Sequence, residues 1–501
     1  MRKSNIHIVE IVPFVAGLVC AFAFCAPTMA RAAESEPNAV FGVLSDIHLV
    51  PADARSVEKF KSTLRYLDLR KVDGVVVCGD LTHRGSIPAL MGFGRVWREV
   101  FPLDRRSDGG HVERLFVYGD HETENMYCAV YTNNWAREGC LEEMRMLDIY
   151  SNDRALLWKR AFGDDYHPIE RRRVKGYDFV LAHIVMGEEP GLRWGEPLYI
   201  PGLEEFFATN TFDKTRPFFF VQHKIPRGTV GGDKIWGQDD GRTTDLLAKY
   251  PNAVAFCGHK HRNATEERMC WQGAFTAFMV PGHFALATEE GRENGVSSGD
   301  RPSHSPQLQM PRLDTSEASQ GFVMSVYDDR IVVERREFAK GGEVAPPWVV
   351  PLPNDGSMSF AERAARAAVP QFGKGDAVAV REICGYDRSG RATEQLSVEF
   401  PPINGGKNLP RAYDYEVTVI LKKAYVRRVV GMKRVFSSKC HLAPEWDTDP
   451  IVCLFGKNEL PSDHDTLEFE VRPANAYGAQ GEPIRSVSRS FNPTPSATTL
   501  W

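Results

Sequence analysis

The stretch Val-Phe-Gly-Val-Leu-Ser-Asp-Ile-His at residues 40–48 joins a short apolar run to Asp46 and His48. The same arrangement recurs along the chain, where further apolar runs rich in Val and Phe end next to Asp or His. Such short apolar runs are typical of strands that are buried on both faces. The sequence therefore predicts five strands, each followed directly by a segment that contains Asp or His. In chain order these segments are Asp46-Ile47-His48, Gly79-Asp80, Gly119-Asp120, His223, and Gly258-His259-Lys260-His261.

Helix-like stretches at residues 56–69 and 141–150 lie between these runs, and further strand-like runs lie at 177–182 and 275–280. Alternating elements of this kind predict a layered α/β domain. The carboxyl ends of strands in an open α/β sheet meet at one edge, so we expect the Asp and His residues to converge there. Residues 321–338 predict a β-hairpin that turns at Asp328-Asp329 and closes the domain.

Beyond this region the character of the sequence changes. Residues 341–357 are rich in Gly and Pro, which predicts a linker over residues 341–370. Alternating apolar and polar residues at 415–421 and 467–471 then predict an all-β sandwich. The segment from Phe469 to Pro483 resembles the closing strands of fibronectin type III domains. That resemblance implies a fibronectin type III-like β-sandwich over residues 371–492 with a carbohydrate or protein partner, followed by a disordered tail at 493–501.

The first 32 residues have the order of a secretory signal peptide. Arg2 and Lys3 precede an apolar stretch at residues 11–26, and Ala30-Arg31-Ala32 offers a cleavage site. The alternative is an uncleaved membrane anchor, but the apolar stretch is short for a full span. We therefore expect a secreted, periplasmic or cell-surface protein that has no membrane span after signal removal.

Charge and cysteine usage narrow the possible functions. The formal net charge is −5, and the short run Arg171-Arg172-Arg173 is expected to be a solvated surface or loop. A broad grip on nucleic acid needs a dense basic face, so this class of partner is not expected. Export permits disulfides, with Cys128–Cys140 and Cys440–Cys453 as candidate pairs. Cys78 and Cys257 lie inside apolar strands and are predicted to be buried thiols.

The Asp and His residues at the strand ends offer carboxylate and imidazole ligands without a thiolate. This ligand type suits Mn, Fe or Zn. Seven ligands exceed what one ion needs, whereas two ions about 3.5–4 Å apart that share a carboxylate would use them all. Each motif alone is also compatible with an ordinary turn. Together they predict a two-metal site that activates a bridging water and neutralises a phosphoryl group, formed by Asp46, His48, Asp80, Asp120, His223, His259 and His261.

In this order, the motifs Asp-x-His, Gly-Asp, Gly-Asp-His-Glu, His and Gly-His-x-His resemble those of the calcineurin-like metallophosphoesterase family over residues 40–285. The resemblance implies an α/β fold over residues 38–340, with a four-layer β-sandwich flanked by helices. It implies two divalent or mixed-valence metal ions and a phosphate-ester substrate. By the same resemblance, Asp46, His48 and His261 hold the first metal, Asp80 bridges, and Asp120, His223 and His259 hold the second metal.

The resemblance also assigns residues beside the metals. His121 is expected to protonate the leaving oxygen or to steady the transition state, and Glu122 to orient His121. His83 and His183 are candidate substrate contacts, with structural hydrogen bonding as the alternative for each.

Two departures from related sequences refine the prediction. The family usually has Asn where this chain has Asp120, so the second metal binds more tightly or the extra charge repels phosphate. No Tyr follows Asp80 as in purple acid phosphatases. We therefore predict an exported phosphoesterase that favours phosphodiesters slightly over phosphomonoesters. The alternative function is a catalytically weakened scaffold that acts as a surface binding protein through its β-sandwich domain.

Overall fold

The computed structural model describes most of the chain. The predicted signal peptide at 1–32, the helix predicted at 141–150 and the tail predicted at 493–501 lie outside the described residues. Within the described part, no helix is both long and apolar enough to cross a membrane. The described residues are 35–122, 153–184, 200–232, 235–297, 301–302, 307–405, 410–423, 425–437, 441–442, 449–461 and 466–490.

From Ala39 to Pro351 the described residues form strands with helices between many of them. In chain order the elements are β1 (Ala39–Leu44), α1 (Ala54–Leu69), β2 (Gly74–Cys78), α2 (Ile87–Val100), β3 (Glu113–Val117), α3 (Arg154–Phe162), β4 (Ile169–Val174), β5 (Tyr177–Ala182), α4 (Leu203–Thr209), β6 (Phe218–Val221), α5 (Arg242–Leu247), β7 (Ala253–Cys257), β8 (Cys270–Gln272), β9 (Thr276–Met279), β10 (Val296–Ser297), β11 (Arg301–Pro302), β12 (Gln320–Val326), β13 (Arg330–Glu337) and β14 (Gly342–Pro351).

Two six-stranded mixed sheets pack face to face. The first has the order β14-β13-β12-β1-β2-β3, in which β1, β2 and β3 are parallel. The second has the order β4-β5-β6-β7-β9-β8, in which β5, β6, β7 and β9 are parallel. Phe41 of the first sheet meets Phe179 and Phe219 of the second, with ring centroids 4.9 Å and 6.1 Å apart. These aromatic side chains fill the space between the sheets.

Helices cover the outer faces of both sheets. Phe60 of α1 and Phe93 of α2 stack on one another at 4.6 Å and belong to the core that lies over the first sheet. Along β6, side chains alternate between faces. Phe219 points to the first sheet, whereas Phe218 and Phe220 meet Phe207 of α4 at 6.1 Å and 6.3 Å. The predicted β-sandwich flanked by helices is confirmed.

The prediction of a linker over residues 341–370 is wrong at its start. Residues 342–351 form β14, the edge strand of the first sheet, and Trp348 is buried. Pro346 and Pro347 lie where the pairing of β13 with β14 is irregular, between the pairs Val333–Trp348 and Arg335–Ala345. Proline is tolerated on edge strands and at bulges, so a Pro-rich composition concealed a strand here. The predicted hairpin at 321–338 is present as β12 and β13.

The run Arg171-Arg172-Arg173 is also a strand rather than a loop, because it forms β4 at the edge of the second sheet. Arg171 and Arg173 both pair with Asp178 of the neighbouring strand, at 2.6 Å and 3.0 Å. Arg172 pairs with Glu113 at 3.2 Å. Arg172 also pairs with Glu170 at 2.6 Å, so each arginine has a carboxylate partner within the fold and the run does not form a basic face.

Buried cysteines behave as predicted in the two central strands. Cys78 and Cys257 are buried free thiols, and burial raises the pKa of each well above its usual value. Cys453 is also a buried free thiol. Cys440, its suggested partner, lies outside the described residues, as do Cys128 and Cys140.

The C-terminal part is rich in antiparallel strands. One sheet has the order β15-β16-β19, and the other has the order β18-β17-β20-β21 with β22 paired to β20. Val398, Val417 and Phe469 lie in the apolar core that these strands share. The elements are α6 (Phe360–Arg366), β15 (Ala379–Tyr386), β16 (Ala392–Phe400), β17 (Asp414–Lys423), β18 (Val426–Phe436), β19 (Ile451–Gly456), β20 (Thr466–Ala474), β21 (Ile484–Arg485) and β22 (Arg489–Ser490).

A buried carboxylate holds several of these segments together. Glu267 accepts hydrogen bonds from Arg335 of β13 at 2.7 Å and from Trp348 of β14 at 2.8 Å. Arg363 of α6 also donates to Glu267, and it donates to the hydroxyl of Tyr477 in the C-terminal part at 3.2 Å. Removing one partner of a buried charge pair leaves the other charge without compensation, which is costly.

We therefore expect Glu267→Gln to lower the free energy of unfolding by about 3–5 kcal/mol, because two buried guanidinium groups lose their carboxylate. Urea-induced unfolding followed by circular dichroism would measure the change. The control is Glu343→Gln, since Glu343 is 47% exposed and pairs with Arg336 at 3.1 Å. Exposed pairs contribute less than about 1 kcal/mol. Equal losses in the two variants would contradict a special role for Glu267.

Candidate metal centre

All seven predicted ligands come together at one edge of the molecule. The sequence predicted convergence along a single sheet, but the structure uses both sheets. The loops after β1, β2 and β3 come from the first sheet, and the loops after β6 and β7 come from the second. The carboxyl ends of these five strands face the same side. Two groups of donor atoms result, Asp46, His48, Asp80 and His261 in one, and Asp120, His223 and His259 in the other, each with its donor atoms within 4.8 Å of one another.

In the first group, imidazole nitrogens and carboxylate oxygens point at a common centre. His48 Nε2 and His261 Nε2 are 2.9 Å apart, and His261 Nε2 is 3.2 Å from Asp46 Oδ1. His48 Nε2 is 3.5 Å from Asp80 Oδ2. Two buried imidazole nitrogens at this separation have few favourable arrangements without a shared proton or cation between them.

The second group has the same character. Asp120 Oδ1 is 2.8 Å from His223 Nε2 and 3.2 Å from His259 Nδ1. Asp80 lies between the groups, because its Oδ2 is also 3.2 Å from His223 Nε2. One carboxylate oxygen therefore contacts donors of both groups.

The backbone at these positions is strained. Of the nine non-glycine residues with positive φ in the described part of the chain, five are predicted ligands. Positive φ is costly for residues with a Cβ and persists where surrounding structure imposes it, often at functional sites. These five are Asp46 at 55°, His48 at 45°, Asp80 at 52°, His259 at 75° and His261 at 50°.

The glycines beside the predicted ligands mainly allow neighbouring loops to approach one another closely, and sharp turning of the chain is a lesser role. A Cβ on Gly119 would clash with Asp80, and a Cβ on Gly258 would clash with Ser45 and lie 2.8 Å from Asp46 Oδ2. Of the three glycines that precede ligands, Gly79 has a positive φ, of 90°. The loops of the two sheets can thus pack directly against one another.

Hydrogen bonds outside the groups fix the rings. His223 Nδ1 donates to the carbonyl of Cys78 at 2.7 Å, and His261 Nδ1 donates to the carbonyl of Ala285 at 3.1 Å. A backbone carbonyl on one ring nitrogen sets the tautomer and leaves the other nitrogen as a ligand. In both residues Nε2 is the atom that faces the donor group.

The carboxylates are held in their ionised form. Burial acts to raise the pKa of Asp46, but the charge and hydrogen bond of His261 outweigh it and bring the pKa to about 2. Burial also acts to raise the pKa of Asp120, and the charges of His259 and Lys224 hold it well below its usual value. Ionised oxygens and oriented imidazoles are the donors that Mn, Fe and Zn accept, so the residues present fit two metal ions.

His121 and Glu122 have different partners from those predicted. His121 Nδ1 donates to the carbonyl of His83 at 2.7 Å, and its Nε2 lies 4.0 Å from Asp80 Oδ2. Glu122 does not supply the orienting contact. Its carboxylate accepts hydrogen bonds from the amide and hydroxyl of Thr82 at 2.8 Å and 2.9 Å, and from the amide of Gly119 at 2.9 Å. Glu122 therefore ties the β2 loop to the β3 loop.

The two candidate substrate contacts, His83 and His183, have different surroundings in the structure. His83 is exposed at the rim of the first group, with its ring centroid 5.6 Å from that of His121 and 6.4 Å from that of Phe284. His183 is buried instead. Its Nδ1 accepts a hydrogen bond from the amide of Tyr118 at 3.0 Å, and its ring packs on Trp158 at 4.9 Å. Its contacts are those of a structural residue, which corrects its assignment as a substrate contact.

Sequence reasoning missed two residues at the second group. Lys224 directly follows His223, and its Nζ is 3.1 Å from Asp120 Oδ2. Trp236 is 47% exposed and lies against His259, with ring centroids 4.9 Å apart. Lys224 could have been noticed because it adjoins a predicted ligand. Trp236 lies in a loop that no motif marks, so only the folded chain brings it to the site.

The match to one protein-family model agrees with this geometry. Residues 39–263 match the family model described as calcineurin-like phosphoesterase. No curated protein sequence matches the chain.

Three solved structures illustrate the likeness. A dimetal phosphatase from Danio rerio is 14% identical, with 63% of this chain and 99% of that chain covered and a TM-score of 0.36. A conserved uncharacterized protein from Streptococcus pneumoniae, described as a predicted phosphoesterase, is 10% identical, with 62% of this chain and 97% of that chain covered and a TM-score of 0.25. GAP50, the anchor in the inner membrane complex of Plasmodium, is 10% identical, with 63% and 89% covered and a TM-score of 0.32.

Because identity to these structures is low, the family match is what carries the assignment, and it coincides with the strands that supply all seven Asp and His residues. Residues 39–263 therefore belong to the calcineurin-like phosphoesterase family.

Proposed function

We propose that this protein is a metal-dependent hydrolase of phosphate esters that prefers phosphodiesters to phosphomonoesters. The observation that carries the proposal is Asp80, whose Oδ2 lies 3.5 Å from His48 Nε2 in one donor group and 3.2 Å from His223 Nε2 in the other. Two divalent or mixed-valence ions of Mn, Fe or Zn bound in such groups would neutralise a phosphoryl group and make water a better nucleophile. Asp46, His48 and His261 would hold the first ion, Asp120, His223 and His259 the second, and Asp80 both.

His121 is the proposed proton donor to the leaving oxygen. Because its Nδ1 donates to the carbonyl of His83, its Nε2 is the nitrogen that exchanges a proton with substrate. The amide of His121 also donates to Asp80 Oδ1 at 3.0 Å, which ties the ring to the shared carboxylate. The ring is partly exposed, with 25% of its side-chain surface accessible, so a substrate can reach it.

Aromatic side chains on both sides of the donor groups support the diester preference. Phe284 lies 6.0 Å from His48, beside the first group, and Trp236 lies 4.9 Å from His259, beside the second. A phosphodiester carries two organic substituents, and each would meet one of these side chains. A phosphomonoester would use only one.

Export and a partner-binding role for the C-terminal strands remain part of the proposal. The charged start, the apolar stretch at 11–26 and Ala30-Arg31-Ala32 support export to the periplasm, the cell surface or the medium. Two antiparallel sheets over one core support a fibronectin type III-like sandwich.

Removal of the shared carboxylate should abolish activity. Loss of an outer ligand partner alone costs about 10- to 100-fold, so Asp80→Ala should lower hydrolysis of bis(p-nitrophenyl) phosphate by more than about 100-fold and reduce bound metal. Metal analysis and assays with Mn, Fe and Zn would measure both effects, with p-nitrophenyl phosphate as the monoester. Asp108→Ala is the control, because Asp108 is 39% exposed and its contacts with Arg106 and with the amide of Gly110 lie in a surface turn.

A wild-type protein that binds no metal and hydrolyses neither ester would overturn the proposal. That outcome would favour the alternative of a binding protein that works through its C-terminal sandwich.

The proton donor can be tested separately from metal binding. We expect His121→Asn to lower kcat by about 10²- to 10⁴-fold, the usual contribution of general acid catalysis, while the bound metal stays unchanged. His111→Asn is the control, since His111 is 58% exposed and pairs with Glu113 at 3.0 Å. Unchanged kcat in the His121 variant would exclude this role.

A further inference from the structure

The carboxylate of Asp120 is divided between two kinds of partner. Its Oδ1 faces His223 Nε2 at 2.8 Å and His259 Nδ1 at 3.2 Å, inside the second donor group. Its Oδ2 faces Lys224 Nζ at 3.1 Å. One oxygen is thus available to a metal, whereas the other is paired with an ammonium group.

The pair is largely removed from solvent. The side chain of Lys224 is 13% exposed and that of Asp120 is 4% exposed. Lys224 Nζ also lies 3.1 Å from His259 Nε2 and 5.8 Å from the ring centroid of Trp236. Low exposure strengthens the interaction between the two charges. The ammonium is therefore held at the border between the second donor group and the exposed Trp236.

We propose that Lys224 is a charge-compensating and phosphate-positioning residue of the second metal site. With neutral imidazoles, the group formed by Asp120, His223 and His259 carries one negative charge, which Lys224 cancels. The ammonium also offers N–H donors to a phosphate oxygen beside that metal. Asp120 and Lys224 together then provide what a neutral amide ligand would provide, namely one metal-binding oxygen without net charge and one N–H donor. The phosphate part of this proposal rests on the proposed function.

The proposal gives opposite expectations for the two single substitutions. Asp120→Asn removes the carboxylate charge and leaves the ammonium without compensation, so metal binding at one of the two sites should weaken. Lys224→Met removes the ammonium and leaves the carboxylate, so metal binding should be as tight as in wild type or tighter. The double variant restores a neutral group with an oxygen ligand, so its metal affinity should return toward that of wild type.

Calorimetric titration of the full chain with Mn²⁺, together with metal analysis, tests this without any turnover. We expect Asp120→Asn to weaken one of two Mn²⁺ sites by about 10- to 100-fold, the range seen when a ligand's partner is lost. We expect the double variant to bind within about threefold of wild type, since residues in direct contact are not additive. Equally weak binding by Asp120→Asn and the double variant would overturn the charge compensation.

Lys260→Met supplies the matched control. Lys260 also lies on Trp236, with its Nζ 4.4 Å from the ring centroid, but it is not within ion-pair distance of Asp120. When the two substitutions are combined, their effects on Mn²⁺ affinity should add, so Lys260→Met should not restore the affinity that Asp120→Asn loses. Rescue by Lys260→Met as strong as that by Lys224→Met would show a general effect of positive charge and would also overturn the specific pairing.

Inorganic phosphate, used as a competitive ligand with Mn²⁺ present, tests the positioning role. Loss of a hydrogen bond to a charged group should weaken phosphate binding by Lys224→Met by about 10-fold or more, and Lys224→Arg should retain most of the affinity. Unchanged phosphate binding by Lys224→Met would overturn this role. Wild-type protein that binds Mn²⁺ and phosphate but cleaves no ester would refute the proposed function while leaving the Lys224 proposal intact.

Discussion

The convergence of strand ends from two packed sheets on Asp80 is the constraint on which the site depends. One oxygen of this carboxylate lies near His48 on the first sheet's side and near His223 on the second sheet's side. That position exists only if the two sheets pack with their parallel carboxyl ends on one side. The Phe41, Phe179 and Phe219 contacts between the sheets set this packing. A shift of one sheet along the other would separate the donors.

The same requirement explains the strained backbone. Five of the predicted ligands have positive φ, which ordinary side chains avoid. Their loops must turn inward at once, because the sheets leave little room between Gly119 and Asp80 or between Gly258 and Asp46. Hydrogen bonds that the Glu122 carboxylate accepts from the amides of Thr82 and Gly119 help to hold this arrangement. The rigidity of the surrounding layers thus maintains local geometry that the loops alone would not adopt.

Beyond the sheets, buried charge ties the C-terminal strands to the part of the chain that carries the two donor groups. Glu267 accepts hydrogen bonds from Arg335, Trp348 and Arg363, and Arg363 also donates to the hydroxyl of Tyr477. Arg292 likewise pairs with Asp414 of β17 at 2.7 Å. These contacts join segments that are far apart in the chain. They make the region after β14 a continuation of the folded unit.

The sequence by itself determined the strand ends, the residue types of the candidate metal site and the family resemblance, because buried parallel strands followed by Asp and His motifs leave local patterns. It could not determine which sheet each strand joins, that β4 and β14 are strands, or that His183 is packed away while Glu122 braces two loops. Those outcomes depend on contacts that the local sequence pattern does not show, such as the pairing of Arg171 with Asp178 on the neighbouring strand and the packing of His183 on Trp158. The local motif likewise left open whether the charge of Asp120 tightens metal binding or repels phosphate. Only the tertiary structure brings Lys224 within 3.1 Å of Asp120, because two loops from different sheets must meet before the charges can pair.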